Sequence, residues 1–147
     1  MQAKAFSAFQ RLKTMATQKP CFGQILYPHL ELLEVSPEAH LTFSLPIHKD
    51  FCDDFGLLST GTLTTLLDAT TTLTVWTLNE SSTLTLSVNM NVSFYGSAKI
   101  GEIIILKSKC TSIEGKIAYT QGEIHKNNQL IVSGLQNIIL THKNLPN

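Results

Sequence analysis

With 147 residues, 43% hydrophobic and 15% charged, the chain has the length of one domain and enough apolar material to build a core without disulfide staples. Its zero formal net charge and lone arginine, Arg11, exclude the electrostatic footprint of a nucleic-acid binder. No stretch approaches the roughly 18 consecutive apolar residues of a membrane-spanning helix, and the charge fraction, well below the ~25% average, implies a surface partly covered by a partner or a second subunit.

Residues 3–18 place Phe6, Phe9 and Leu12 or Lys13 along one side and read as a helix stopped by Pro20. The cations Lys4, Arg11, Lys13 and Lys19, with no acid before Glu31, resemble a mitochondrial presequence. The shortage of arginine and serine there favours an ordinary amphipathic helix. A cytoplasmic compartment is therefore expected, with the mitochondrion as the alternative. Cys21, Cys52 and Cys110 are few, odd in number and widely spaced, which fits a reducing compartment and neither a disulfide framework nor a zinc site. Cys52 and Cys110 read as buried small apolar residues rather than nucleophiles.

Leu41, Phe43, Leu45 and Ile47 alternate with Thr42, Ser44, Pro46 and His48, the period of a strand with one buried face. Pro46 sets that strand at a sheet edge or at its own end. Asp50, Asp53, Asp54 and Gly56 make residues 48–58 a loop. Residues 60–78 are contested. Nine of the eighteen residues 60–77 are threonine, a strand former. Yet Leu63, Leu66, Leu67, Leu73 and Leu78 share one helical arc, flanked by Ala69 and Trp76, with Thr64, Thr65, Asp68 and Thr72 opposite. The periodicity predicts a helix.

Leu84, Leu86, Val88, Met90, Val92 and Phe94 then alternate with Thr85, Ser87, Asn89, Asn91 and Ser93, predicting one long strand with a single apolar face. Gly96 and Gly101 bracket a turn. Strands follow at 102–113, 116–125 and 129–140, joined by short turns at 114–115 and 126–128, so neighbours are antiparallel and the last four strands form a meander. The expected architecture is α+β: an N-terminal helix (1–20) in the same domain as residues 21–147, where a long helix is buried against a strongly curved antiparallel sheet of five to six strands. The histidines, His29, His40, His48, His125 and His142, form no spaced set, and phosphate loops and nucleophile elbows are absent.

Two stretches carry a family resemblance. Gly56-Leu-Leu-Ser-Thr-Gly61-Thr-Leu-Thr-Thr-Leu-Leu-Asp68 is similar to a G-x-L-H-G-G motif followed by an apolar helix with an acidic residue. Leu86-Ser-Val-Asn-Met-Asn-Val-Ser-Phe-Tyr-Gly-Ser-Ala-Lys-Ile-Gly-Glu102 is similar to a strand with V-x-M-N followed by P-A-x-x-G-E. Together they resemble the hotdog-fold acyl-CoA thioesterases of the phenylacetate-pathway and human thioesterase superfamily member 2 type, from about Ser36 to Leu140.

The resemblance implies a helix wrapped by an antiparallel sheet, pairing into homodimers or homotetramers with sites at the dimer interface. It implies Asp68 as general base or nucleophile, Ser87 as the group that places the attacking water, and the Thr60 and Gly61 amides as carbonyl-polarising donors. Asp53 stands at the place of a family asparagine supplied by the other subunit. Asn89, Phe94 and the turn Ser112, Glu114, Gly115, Lys116 and Ile117 fall on ligand- and coenzyme A-contacting positions, with Lys116 offered to a phosphate. No metal or separate cofactor is implied; coenzyme A enters as part of the substrate.

Two departures stand out. The His-Gly-Gly run is Ser59-Thr60-Gly61, which keeps the backbone donors but narrows the approach. An aspartate at position 53 brings a second carboxylate towards Asp68 of the partner copy. The expected function is hydrolysis of a fatty or aromatic acyl-CoA. The alternative is a hotdog acyl- or CoA-binding or structural subunit without turnover. A hotdog dehydratase is disfavoured because no histidine sits in the helix or its entry loop.

Overall fold

The computed structural model describes residues 1–18, 22–79 and 83–144. Helix α1 (Gln2–Gln18) is followed by strands β1 (Glu31–Val35) and β2 (Leu41–Pro46), helix α2 (Thr60–Leu78) and strands β3 (Thr83–Phe94), β4 (Ile103–Glu114), β5 (Ile117–Lys126) and β6 (Gln129–Asn144). One six-stranded antiparallel sheet in the order β1-β2-β4-β5-β6-β3 wraps α2. Pro20 and Cys21 lie outside the described residues.

Helix α2 forms despite its threonines because their hydroxyls are satisfied locally. Thr64, Thr65, Thr70, Thr71, Thr74 and Thr77 each donate to the carbonyl four residues back. The hydroxyl thus costs little to bury, and the methyl is left for packing. Thr70, Thr71, Thr74 and Thr77 are all buried, and no buried side-chain nitrogen or oxygen among the described residues lacks a partner. Ser59 caps the helix: its Oγ accepts from the Thr62 amide at 3.1 Å.

The sheet makes room for α2 with two glycines. Gly122 of β5 and Gly134 of β6 face each other across the ladder. A Cβ on Gly122 would lie 2.6 Å from Leu67 Cδ2 and 3.2 Å from Thr71 Cγ2, and one on Gly134 2.9 Å from Leu67 Cδ1. Leu67 is buried there, so the helix sits in the hollow these residues leave. Gly122→Val is expected to destabilise the fold by about 1–3 kcal/mol through overpacking, read as a lower denaturant midpoint.

On the other side of α2 lies α1, through Ala5, Ala8, Phe9 and Ala16. Phe9 meets the Phe43 ring at 5.7 Å, and Arg11 stacks over Trp76 at 5.2 Å. Phe6 is exposed, unlike the expected stripe of Phe6 and Phe9, because the alanines let α1 approach closely on a different arc.

Three further expectations are corrected. Strand β1 leaves no periodic signature in the sequence: its five residues are paired only to β2, with a bulge between Leu32 and Glu34 that blurs any alternation. The meander holds only for β4, β5 and β6. Strand β3 crosses to the far edge and pairs with β6, because the segment after it does not turn back as a hairpin but runs beside the α2 entry loop, where Leu58 donates to the Ala98 carbonyl at 2.8 Å. The alternation of β3 also breaks. A bulge between Ser87 and Asn89 leaves Val88 without a register partner and flips the strand's faces. Thr85 and Ser87 face α2, whereas beyond the bulge Met90 and Val92 share the inner face with Gln136 and Gly134. Leu86 and Val88 are left exposed on the edge strand.

Candidate functional site

Asp68 projects from the middle of α2, half-buried, towards β3. Ser87 Oγ donates to Asp68 Oδ1 at 2.8 Å. A third side chain, Gln136 of β6, completes the cluster: its Nε2 donates to Asp68 Oδ1 and, at 2.7 Å, to Ser87 Oγ. The Gln136 Oε1 lies against Thr71 Oγ1, one turn beyond Asp68; the single Thr71 hydroxyl proton is within reach of both Gln136 Oε1 and the Leu67 carbonyl. Gln136 is 1% exposed, while Ser87 is open to solvent, so the cluster is anchored inside and accessible outside. Asp68 Oδ2 has no hydrogen-bond partner among the described residues. One carboxylate oxygen is therefore held and the other is free to accept a proton.

At the other end of the helix, Ser59 occupies the Thr62 amide and its own carbonyl accepts from Leu63. The Thr60 and Gly61 amides have no partner among the described residues, and both residues are exposed. These donors, with the positive end of the helix dipole, form a ready site for developing negative charge. Asp68 follows Thr60 by eight residues, about 12 Å along the axis. Within one chain the carboxylate and these amides cannot reach the same carbonyl.

Asp53 does not meet Asp68 in the chain. Its Oδ1 accepts from the Phe55 and Leu57 amides at 2.9 and 3.0 Å, tying a tight turn in which Gly56 adopts φ 72°. An aspartate makes these bonds as well as an asparagine. Phe55, at the tip of that turn, is 88% exposed.

A family model described as the thioesterase superfamily matches residues 55–133, more than half of the chain. The chain belongs to the thioesterase superfamily. A search of curated protein sequences finds no match. Solved structures share the fold. The zebra fish thioesterase superfamily member 2 superposes with a TM-score of 0.77 at 21% identity, over 88% of this chain and 93% of that one. The putative, phenylacetic acid degradation-related thioesterase of Ralstonia eutropha JMP134 gives 0.72 at 19% identity over 90% and 98%. A hypothetical thioesterase of Streptococcus pneumoniae TIGR4, solved with coenzyme A, gives 0.71 at 13% over 80% and 90%.

In this thioesterase-superfamily chain the Ala98–Glu102 stretch of the signature acts as a clip. Glu102 accepts from the Lys99 amide at 2.6 Å and pairs with Lys126 at 3.4 Å, and Lys126 in turn donates to the Ser97 carbonyl. The Lys99 amide, with Lys126 beside it, holds the Glu102 carboxyl below its usual range. Ala98 and Lys99 bridge to Leu58 and Leu57, so the clip fixes the loop that launches α2 and its free amides.

Of the ligand positions, Ser112, Glu114, Gly115, Lys116 and Ile117 cluster at the β4–β5 hairpin, exposed except for half-buried Ile117, with Gly115 at φ 60°. Phe94 is partly exposed at the end of β3. Asn89 is not beside Ser87: the bulge turns it to the outer face, where it pairs with Asn137. His29 and His48, expected to be unrelated, stack at 5.7 Å with Phe51 against both. Cys52 and Cys110 are half-buried, and burial is the main cause that raises both thiols. No group of three metal-ligating side chains occurs among the described residues, and none of their helices is long and apolar enough to cross a membrane.

Proposed function

We propose that the protein hydrolyses acyl-CoA thioesters at sites shared between two copies of the chain. The observation that carries this reading is the anchored carboxylate of Asp68, hydrogen-bonded through Oδ1 to Ser87 and free at Oδ2. Asp68 Oδ2 takes a proton from water while Ser87 orients that water. The hydroxide adds to the thioester carbonyl. The carbonyl oxygen becomes an oxyanion held by the Thr60 and Gly61 amides. Collapse breaks the C–S bond, and the proton returns to the departing thiolate, leaving a carboxylic acid and free coenzyme A.

The separation of about 12 Å between amides and carboxylate supports drawing the two halves from different chains. The unpaired edge of β3, which carries Ser87, supports a dimer in which that edge meets a second copy. Lys116 and the β4–β5 hairpin supply the contact for coenzyme A phosphates. The substrate is a fatty or aromatic acyl-CoA in the cytoplasm.

The test is thiol release by the purified protein from short, medium, long and aromatic acyl-CoAs. Turnover of at least one class is the expected result; none across the panel would overturn the reading. One observation favours a second reading, a binding subunit without turnover: Ser59, in place of the family's histidine, spends its hydroxyl on capping α2. Coenzyme A-ester binding without thiol release would select it.

A further inference from the structure

We infer that Gln136 is a positioning residue that holds Asp68 by Oδ1 and so directs its free oxygen at the substrate. The inference deepens the hydrolase reading and rests on it for its kinetic arm.

Gln136 is gripped by two residues three apart on α2, Asp68 and Thr71. The amide Nε2 faces Asp68 Oδ1 and Ser87 Oγ, and Oε1 faces the Thr71 hydroxyl, whose single proton is also within reach of the Leu67 carbonyl. Reversing the amide would set Gln136 Oε1 against Asp68 Oδ1, two acceptors in contact. Ser87 is ordered by the same logic. Its oxygen accepts from Gln136, so its single proton goes to Asp68 Oδ1. Two donors thus converge on one carboxylate oxygen, and Oδ2 is left without a partner among the described residues.

Gln136 is held in turn by the fold. It is buried, its carbonyl accepts from Thr120 Oγ1 at 2.9 Å, and Met90 lies across the ladder from it. A glutamine placed there only for packing would have no reason to direct its donor face at a half-exposed carboxylate and serine.

Gln136→Met tests this without orphaning a buried group. The Thr120 bond is to backbone and survives, and Thr71 Oγ1 falls back on the Leu67 carbonyl, 2.7 Å away. Gln136→Glu is the second variant: it keeps the size but replaces the donor with a carboxylate. The primary readout is the order of the Asp68 side chain, read from its Hα–Hβ NMR couplings in labelled protein, which needs no turnover. The couplings of a single rotamer in the parent are expected to become averaged in both variants. The kcat at neutral pH is expected to fall about 10- to 100-fold with KM little changed.

An Asp68 side chain as ordered as the parent's in a folded variant would overturn the inference. A lower melting temperature with the couplings and kcat unchanged would reduce Gln136 to a packing residue and overturn it equally. If the parent hydrolyses no acyl-CoA, the function fails, yet the NMR couplings still decide what Gln136 does.

Discussion

Asp68→Asn is expected to lower kcat for acyl-CoA hydrolysis by about 10²- to 10⁴-fold while leaving the fold intact. The carboxamide keeps an oxygen at the Oδ1 position to accept from Ser87 and Gln136, so the anchoring bonds persist. At the Oδ2 position it presents an amide nitrogen that cannot take a proton from water. Removing the base while keeping the scaffold separates chemistry from stability. The check is thiol release measured beside thermal unfolding. Activity within a few-fold of the parent at an unchanged melting temperature would remove Asp68 from the reaction.

Thr60→Pro should cost about 10²- to 10³-fold in kcat, again with little structural penalty. Thr60 is the first helical residue after the Ser59 cap, where proline is favoured because the amide has no partner in the helix. Ser59, at φ −67° and ψ 147°, already has the extended backbone that a following proline requires. The substitution therefore removes one amide of the proposed oxyanion site without breaking a helical hydrogen bond. It also exposes the division of labour between chains. An Asp68→Asn copy paired with a Thr60→Pro copy carries one intact carboxylate and one intact amide mouth, which meet at one of the two sites. Unfolding and refolding the two inactive variants together should restore about a quarter of the parental sites by random pairing. No recovery, despite mixed dimers shown by mass, would mean that carboxylate and amides do not act across the interface.

How much of this was legible beforehand depends on how local each signal is. Helix α2 could be read from its leucine spacing even though half of residues 60–77 are threonine, because hydroxyl-to-carbonyl bonds within one turn settle those residues without help from the fold. The alternation of residues 84–94 announced a strand, and the two motif stretches pointed to the family and to Asp68 and Ser87, which the structure joins by a hydrogen bond. Lone hydrophobic periodicity, by contrast, misjudged α1, where small alanines rather than Phe6 meet the core.

Composition and periodicity thus determined the elements, and the resemblance determined the family, since both are written in neighbouring residues. The tertiary structure alone decided the path of β3 to the far edge, the bulge at Val88 that separates Asn89 from Ser87, and the arrival of Gln136 at the carboxylate. A one-residue bulge reverses every side chain after it without changing composition, and a glutamine within a strand looks the same whether it faces water or an acid 68 residues away in the chain. Strand order and register are set by which distant backbones pair around α2, and no stretch of sequence short enough to read locally contains both partners.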